Sequence, residues 1–127
     1  MKTHRFIVLM LLFALFAVVG ANAADDSTHS EKVYNTYCAQ CHGVDRNGKG
    51  INSSQMSVQP RDHSDAKGMG DIPDDELERA IRDGGLAVNK SVLMPTWGKT
   101  LSDEEIRGLV KYLRVICKCG NKSEEKQ

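Results

Sequence analysis

The chain has 127 residues, 17 basic and 17 acidic side chains and 6% aromatic residues, enough for one small domain. Its balanced charge and ordinary composition exclude a disordered polyelectrolyte, a repeat array and a basic nucleic-acid-binding module.

Lys2, His4 and Arg5 open the chain with positive charge, residues 6–20 form an uninterrupted apolar run, and Ala21-Asn22-Ala23 is a small-x-small site. This is the pattern of an export signal cleaved after Ala23, so residues 1–23 are read as a signal peptide. As a helix the apolar run would reach only ~23 Å, short of a bilayer core. Stable membrane insertion is therefore not expected after cleavage, and no Cys stands at the junction to carry a lipid. Cleavage removes Lys2 and Arg5 and no acid, leaving 15 basic against 17 acidic side chains, a net charge of −2. That balance argues against nucleic acid or an anionic membrane as partner. A core built from residues 24–127 alone would be marginal, and a buried cofactor would stabilise it.

Residues 24–30 are polar and read as loose. A short helix is expected from Glu31, carrying Val33, Tyr34 and Tyr37 into Cys38. Residues 43–70 are rich in Gly, Ser, Asn and Asp and show no period; so long a loop needs something large and apolar to wrap around. The next helix is predicted over 74–83, with Leu77, Ala80 and Ile81 as its apolar stripe and Gly84-Gly85 as its stop. Pro73 stands where a capping side chain would be expected. A second loop, residues 86–100, holds Leu93-Met94-Pro95-Thr96-Trp97-Gly98. The last helix has the strongest signals: Ser102 and Glu105 can form a capping box and Leu101 can staple to Ile106. Ile106, Leu109, Val110, Leu113 and Cys117 recur at helical spacing and give one buried face. Gly120 is read as its stop, and residues 121–127 as a charged, frayed tail. No strand-period run occurs, so the fold class is all-α.

Cys38-Ala39-Gln40-Cys41-His42 is a C-x-x-C-H haem-attachment signature. Two thiols three residues apart can each form a thioether to one of the two vinyl groups of a haem, and the next residue, His42, is then held beneath the iron as an axial ligand. A thioredoxin-like redox pair would need a preceding strand and a βαβ context. A zinc site from Cys38, Cys41, Cys117 and Cys119 would have C-x-C as an unusual half. A plain Cys38–Cys41 disulfide would leave His42 unexplained.

Candidates for the second axial ligand after cleavage are Met56, Met69, Met94, His29 and His63. Met94 fits best: it lies in a loop before the last helix, far enough along the chain for the chain to pass round the haem, and Pro95 holds its backbone extended. Met56 and Met69 read as loop or packing methionines and His63 as a solvated loop histidine. Trp97 could donate its indole N–H to a haem propionate or pack on the haem edge. Arg61 could pair with a propionate or lie solvated. Gly43 lets the chain turn sharply after His42.

From about Ser30 to Ile116 the chain resembles the class I (small monohaem) cytochrome c family. The resemblance rests on Val33-Tyr34 through Cys41-His42-Gly43, on Lys90-Ser91-Val92-Leu93-Met94-Pro95, and on Leu101 to Ile106 leading to Tyr112-Leu113-Arg114. It implies a class I cytochrome c fold, three to five short helices wrapped around one covalently bound haem c and its iron, with a core at about 30–117. The N- and C-terminal helices would cross beside the haem, with Tyr34 meeting Tyr112 next to Leu109. The crossing position usually held by Gly is Ser30, a departure expected to widen the crossing slightly. The family also places Met94 opposite His42.

Iron held by His42 and Met94 has no vacant position, which argues against an enzyme and for one-electron transfer; the soft thioether raises the reduction potential relative to a bis-His site. The expected function is a periplasmic monohaem c-type cytochrome carrying single electrons between redox partner proteins. Two rival readings stay open: a haem enzyme subunit or gas sensor with a displaceable distal ligand, and a non-haem exported binding module stapled by disulfides. Cys117 and Cys119 fall outside the family pattern. Cys117 reads first as a small buried side chain. A disulfide between the two requires the helix to have ended, and a link through Cys119 would give a disulfide-joined dimer in place of the expected monomer.

Overall fold

A computed structural model describes residues 22–120; all but the last two residues of the signal peptide expected over 1–23, and the tail expected over 121–127, lie outside them. The elements are α1 (Asn22–Tyr37), α2 (Ala39–His42), α3 (Ala66–Gly70), α4 (Asp74–Asp83) and α5 (Asp103–Cys117), with 3₁₀ turns at Ser53–Gln55 and Gly85–Val88. No strand occurs among the described residues.

The core is organised by α5. Its capping box forms as the sequence predicts: Glu105 N–H donates to Ser102 Oγ at 3.2 Å and Ser102 N–H donates to Glu105 Oε2 at 2.9 Å. Such a cap contributes about 1 kcal/mol. Leu101 and Ile106 are buried at its start, and Leu109, Val110, Leu113 and Cys117 along its inner face. The helix ends one turn before Gly120: Lys118 adopts the left-handed conformation at φ 51° and its N–H caps Val115 at 3.3 Å. No Gly stands at that position, and Gly120, the stop the sequence suggests, lies three residues beyond the last helical residue, Cys117.

Helix α1 lies across α5 and begins earlier than the sequence predicts. Residues 24–30, expected to be loose, are helical. Long-range contacts hold them: Asp26 pairs with Lys111 at 3.7 Å, His29 with Glu105 at 3.2 Å, and Ser30 is buried. Ser30 faces Gly108 of α5, where an added Cβ would come within 2.8 Å of Ser30 Oγ. The missing side chain at the crossing is thus supplied by α5, and it absorbs the hydroxymethyl group that Ser30 adds. Below it the Tyr34 and Tyr112 rings meet edge-to-face, 5.7 Å apart at 63°, with Leu109 fully buried in the same core.

Pro73 gives α4 no side-chain cap. Arg114 of α5 anchors that end instead. Its guanidinium donates to Asp74 Oδ1 at 2.6 and 2.8 Å, to the Ile72 carbonyl at 2.6 Å and to the Met69 carbonyl at 2.7 Å. Three acids in the first turn, Asp74, Asp75 and Glu76, complement the helix dipole. Leu77 and Ile81 are buried, and Gly84, at φ 83° and ψ 172°, terminates the helix in a region open to glycine.

Cys117 and Cys119 form a disulfide within the chain, their Cα atoms 5.1 Å apart. The turn at Lys118 brings them together, which an unbroken helix would not allow. This corrects the reading of Cys117 as a free buried thiol and removes the cysteines that could have linked two chains.

Candidate haem site

A cavity of about 450 Å³ opens between the end of α1, α2, the loop around residues 56–65, α4, the loop around residues 88–97 and α5. Leu77, Ile81, Val88, Leu109 and Leu113 give it an apolar wall. Its volume is within the range of cofactor sites. The six residues singled out from the sequence, Cys38, Cys41, His42, Arg61, Met94 and Trp97, all line it, as do Met56 and His63. Met69 does not; it is fully buried in the core. His29 is engaged with Glu105 on the other side of α1.

On one wall the C-x-x-C-H segment is wound into a single turn. Cys38 N–H donates to the Tyr34 carbonyl and His42 N–H to the Cys38 carbonyl, both at 2.8 Å, and Gly43 leaves the turn at φ 83°. Gly48 N–H then donates to the His42 carbonyl at 2.9 Å and Gly50 N–H to the Cys41 carbonyl at 3.0 Å, folding the following loop back over the motif. His42 Nδ1 lies 3.0 Å from the Arg61 carbonyl. A carbonyl can only accept, so Nδ1 carries the proton and Nε2 keeps its lone pair, the tautomer a metal-binding imidazole needs. Burial lowers the pKa of His42, partly opposed by that hydrogen bond, and favours the neutral ring. Burial, with Cys41 nearby, pushes the Cys38 thiol up to about 12, so it stays protonated until it reacts.

On the other wall Met94 is half-buried. Gly85 N–H donates to the Met94 carbonyl at 3.1 Å, and Met94 N–H to the Ser91 carbonyl at 3.3 Å. The loop then caps α4: Trp97 N–H donates to the Ile81 carbonyl at 3.1 Å and Gly98 N–H to the Arg82 carbonyl at 3.0 Å. The Trp97 ring packs against Tyr37, centroids 5.1 Å apart at 53°, tying this loop to the end of α1.

Arg61 meets the site through its backbone, while its side chain is exposed. His63, read from the sequence as solvated, is 8% exposed. Its ring stacks on His42 at 4.2 Å and 15°, its Nδ1 is hydrogen-bonded to the Tyr34 hydroxyl at 3.0 Å, and its N–H donates to the Arg46 carbonyl at 2.7 Å. Burial first, then the proximity of His42 and Arg61, holds its pKa well below the ordinary range. Arg46 itself donates to Tyr112 Oη at 2.7 Å and to Glu31 at 3.0 Å, and its guanidinium lies over the Tyr34 and Tyr112 rings. The sequence offers His63 only as a candidate ligand or a solvated histidine and gives no sign of Arg46, because their partners lie far along the chain and no local pattern announces them.

The donor set fits a covalently held haem: an apolar slot, two thiols on one wall, a neutral imidazole with a free nitrogen, and a thioether on another loop. Fold and site together define a c-type cytochrome. Relatives agree: a family profile described as "Cytochrome C oxidase, cbb3-type, subunit III" matches residues 25–113. Cytochrome c-553 of Helicobacter pylori (strain ATCC 700392 / 26695) is 30% identical over 79 residues, 62% of this chain and 70% of that protein. The solved structure of KustC0563 c-type cytochrome superposes with a TM-score of 0.54 at 26% identity, covering 68% of this chain and 95% of that one. The chain belongs to this family of small monohaem class I cytochromes c, electron carriers with covalently bound haem c and its iron.

Proposed function

We propose that this chain is a periplasmic electron shuttle whose haem is joined to Cys38 and Cys41 and whose iron is held by His42 and Met94. The observation that carries the reading is the His42 tautomer: Nδ1–H donates to the Arg61 carbonyl and leaves the Nε2 lone pair free, in a cavity that Met94 also lines. Bound haem supplies a one-electron Fe(III)/Fe(II) couple. His42 and Met94 would hold the iron, and with both in place the site would be closed to water and substrate. The thioether and the apolar wall disfavour the more highly charged oxidised state, which raises the potential. Trp97 and Tyr37 close one edge of the cavity.

Export supports the assignment of compartment: the segment ending at Ala23 has the three parts of a cleavable signal. No helix among the described residues is long and apolar enough to cross a membrane. Partners are then exported or membrane-bound redox proteins that present their own centres to the shuttle.

The test is the absorption spectrum of the oxidised protein with two variants. The wild type should show a weak sulfur-to-iron charge-transfer band and bind carbon monoxide slowly after reduction. Met94→Ala should lose the band, bind carbon monoxide rapidly and have a lower potential, while Met56→Ala should keep the wild-type spectrum. Rapid carbon monoxide binding by the wild type would instead favour a sensor or enzyme subunit. A mature mass beginning at Ala24 in the periplasmic fraction checks the compartment.

A further inference from the structure

His63 and His42 both line the cavity, and their rings stack on one another. Of all hydrogen bonds to His42, one holds its ring, and a hydrogen bond to a carbonyl tolerates a broad range of directions. The Arg61 carbonyl therefore fixes which nitrogen carries the proton but leaves the imidazole plane free to swing about that bond. A flat partner laid parallel to the ring removes this freedom, because swinging would drive one ring edge into the other. His63 is such a partner at 4.2 Å and 15°.

The partner is itself held from two sides. Its backbone N–H donates to the Arg46 carbonyl at 2.7 Å, and its ring is hydrogen-bonded to Tyr34, a side chain 1% exposed at the crossing of α1 and α5. Tyr34 in turn packs against Tyr112 and lies beneath Arg46. A continuous set of contacts thus runs from the helix crossing through Tyr34 and His63 to the face of His42.

We infer that His63 is a positioning residue: anchored by Tyr34, it sets the plane of the His42 imidazole and hence the orientation in which that ring meets the iron. The inference rests on His42 being an axial ligand. It adds that the orientation of the ligand plane is set by a side-chain stack as well as by the backbone carbonyl.

The experiment uses the holoprotein with haem attached. Proton shifts of the haem methyl groups in the oxidised state report the orientation of the axial-ligand planes, and the midpoint potential is measured on the same samples. His63→Ala should retain a low-spin spectrum but shift the methyl pattern or split it into more than one set, with a change in potential. His63→Phe keeps a flat ring without the Tyr34 hydrogen bond, so it should shift the pattern less. Tyr34→Phe removes only the anchor and should also give a smaller shift. A His63→Ala protein with the wild-type methyl pattern and potential would overturn the proposal. Should His63→Ala not yield folded holoprotein, Tyr34→Phe decides: a shifted pattern supports the stack and an unchanged one refutes it. A His42→Ala protein that keeps its low-spin spectrum would instead overturn the ligand assignment, which separates the two failures.

Discussion

The two walls of the cavity are built to different standards. The wall that carries His42 is stitched by backbone hydrogen bonds from Gly48, Gly50 and Asn52 back to residues 40–42, and its imidazole has a carbonyl on one nitrogen and a ring on one face. On the other wall Met94 itself has two backbone bonds, to Ser91 and Gly85, with Val92 70% and Leu93 57% exposed beside it, and the loop is tied to α4 only beyond it, at Trp97 and Gly98. One wall fixes a group that must be covalently placed and oriented once. The other presents a flexible thioether, whose three rotatable bonds tolerate a looser loop. The two proposed ligands, His42 and Met94, should therefore respond differently to disturbance of the backbone beneath them.

The largest effect should come from the covalent wall itself. Cys41→Ser, or Cys38→Ser, should reduce or abolish haem that survives a denaturing gel, whereas serine at Cys117 and Cys119 together should leave that stain intact. Next come two glycines, one under each wall. An added Cβ at Gly50 would run into the Gln40 carbonyl and the backbone of Cys41; at Gly85 it would meet the Ser91 carbonyl and come within 3.1 Å of Met94 Cβ. Overpacking of this kind typically costs about 1–3 kcal/mol. Gly50→Ala should be at the upper end in urea unfolding of the holoprotein, since only backbone of a stitched turn could yield. Gly85→Ala should cost less, because the exposed loop can move, but should weaken the sulfur-to-iron band and admit carbon monoxide. Equal unfolding losses with an intact band in both would break the contrast between the walls.

Smaller again is the cap of α5, whose Ser102 and Glu105 do not line the cavity. Ser102→Ala should cost about 1 kcal/mol in urea unfolding and leave the spectrum unchanged. The same cap has a pH signature. The Ser102 backbone N–H first, then its hydroxyl and His29, hold the Glu105 carboxyl below its ordinary value of 4.5. A lowered folded pKa stabilises above the unfolded value and is lost as pH falls through the folded one. The stability gap between wild type and Glu105→Gln should therefore be full near neutrality and close in acid. A gap that persists at low pH would mean that the contribution is not electrostatic.

What could be read from the sequence follows the range of the forces involved. The capping box of α5, the stripe and glycine stop of α4, and the C-x-x-C-H turn all depend on neighbours within a turn or two, and each lies where the sequence pointed. The helical state of residues 24–30 depends on Lys111, Glu105 and Gly108, and no local propensity announces it. α3 was hidden inside a loop for a similar reason: it is five residues long, capped by Asp65 and held at its end by Arg114. At the site, the residue types with chemistry were visible, and their convergence on one cavity needed the fold. His63 and Arg46 were invisible as participants because a buried histidine and a surface one look alike until the tyrosines that receive them are in place.

The disulfide at the end of α5 has a consequence for how the protein is made. Four thiols in an oxidising compartment can pair in three ways, and two of those ways would engage both haem-binding cysteines with the late pair. Cys117 and Cys119 are neighbours across a two-residue step, so their encounter needs only a local turn at Lys118 and no long-range folding. Closing that small ring takes both sulfurs out of competition. Cys38 and Cys41 are the free thiols of this structure, and in a chain exported as proposed the late pair would no longer compete for them, leaving each only the other as an alternative to the cofactor.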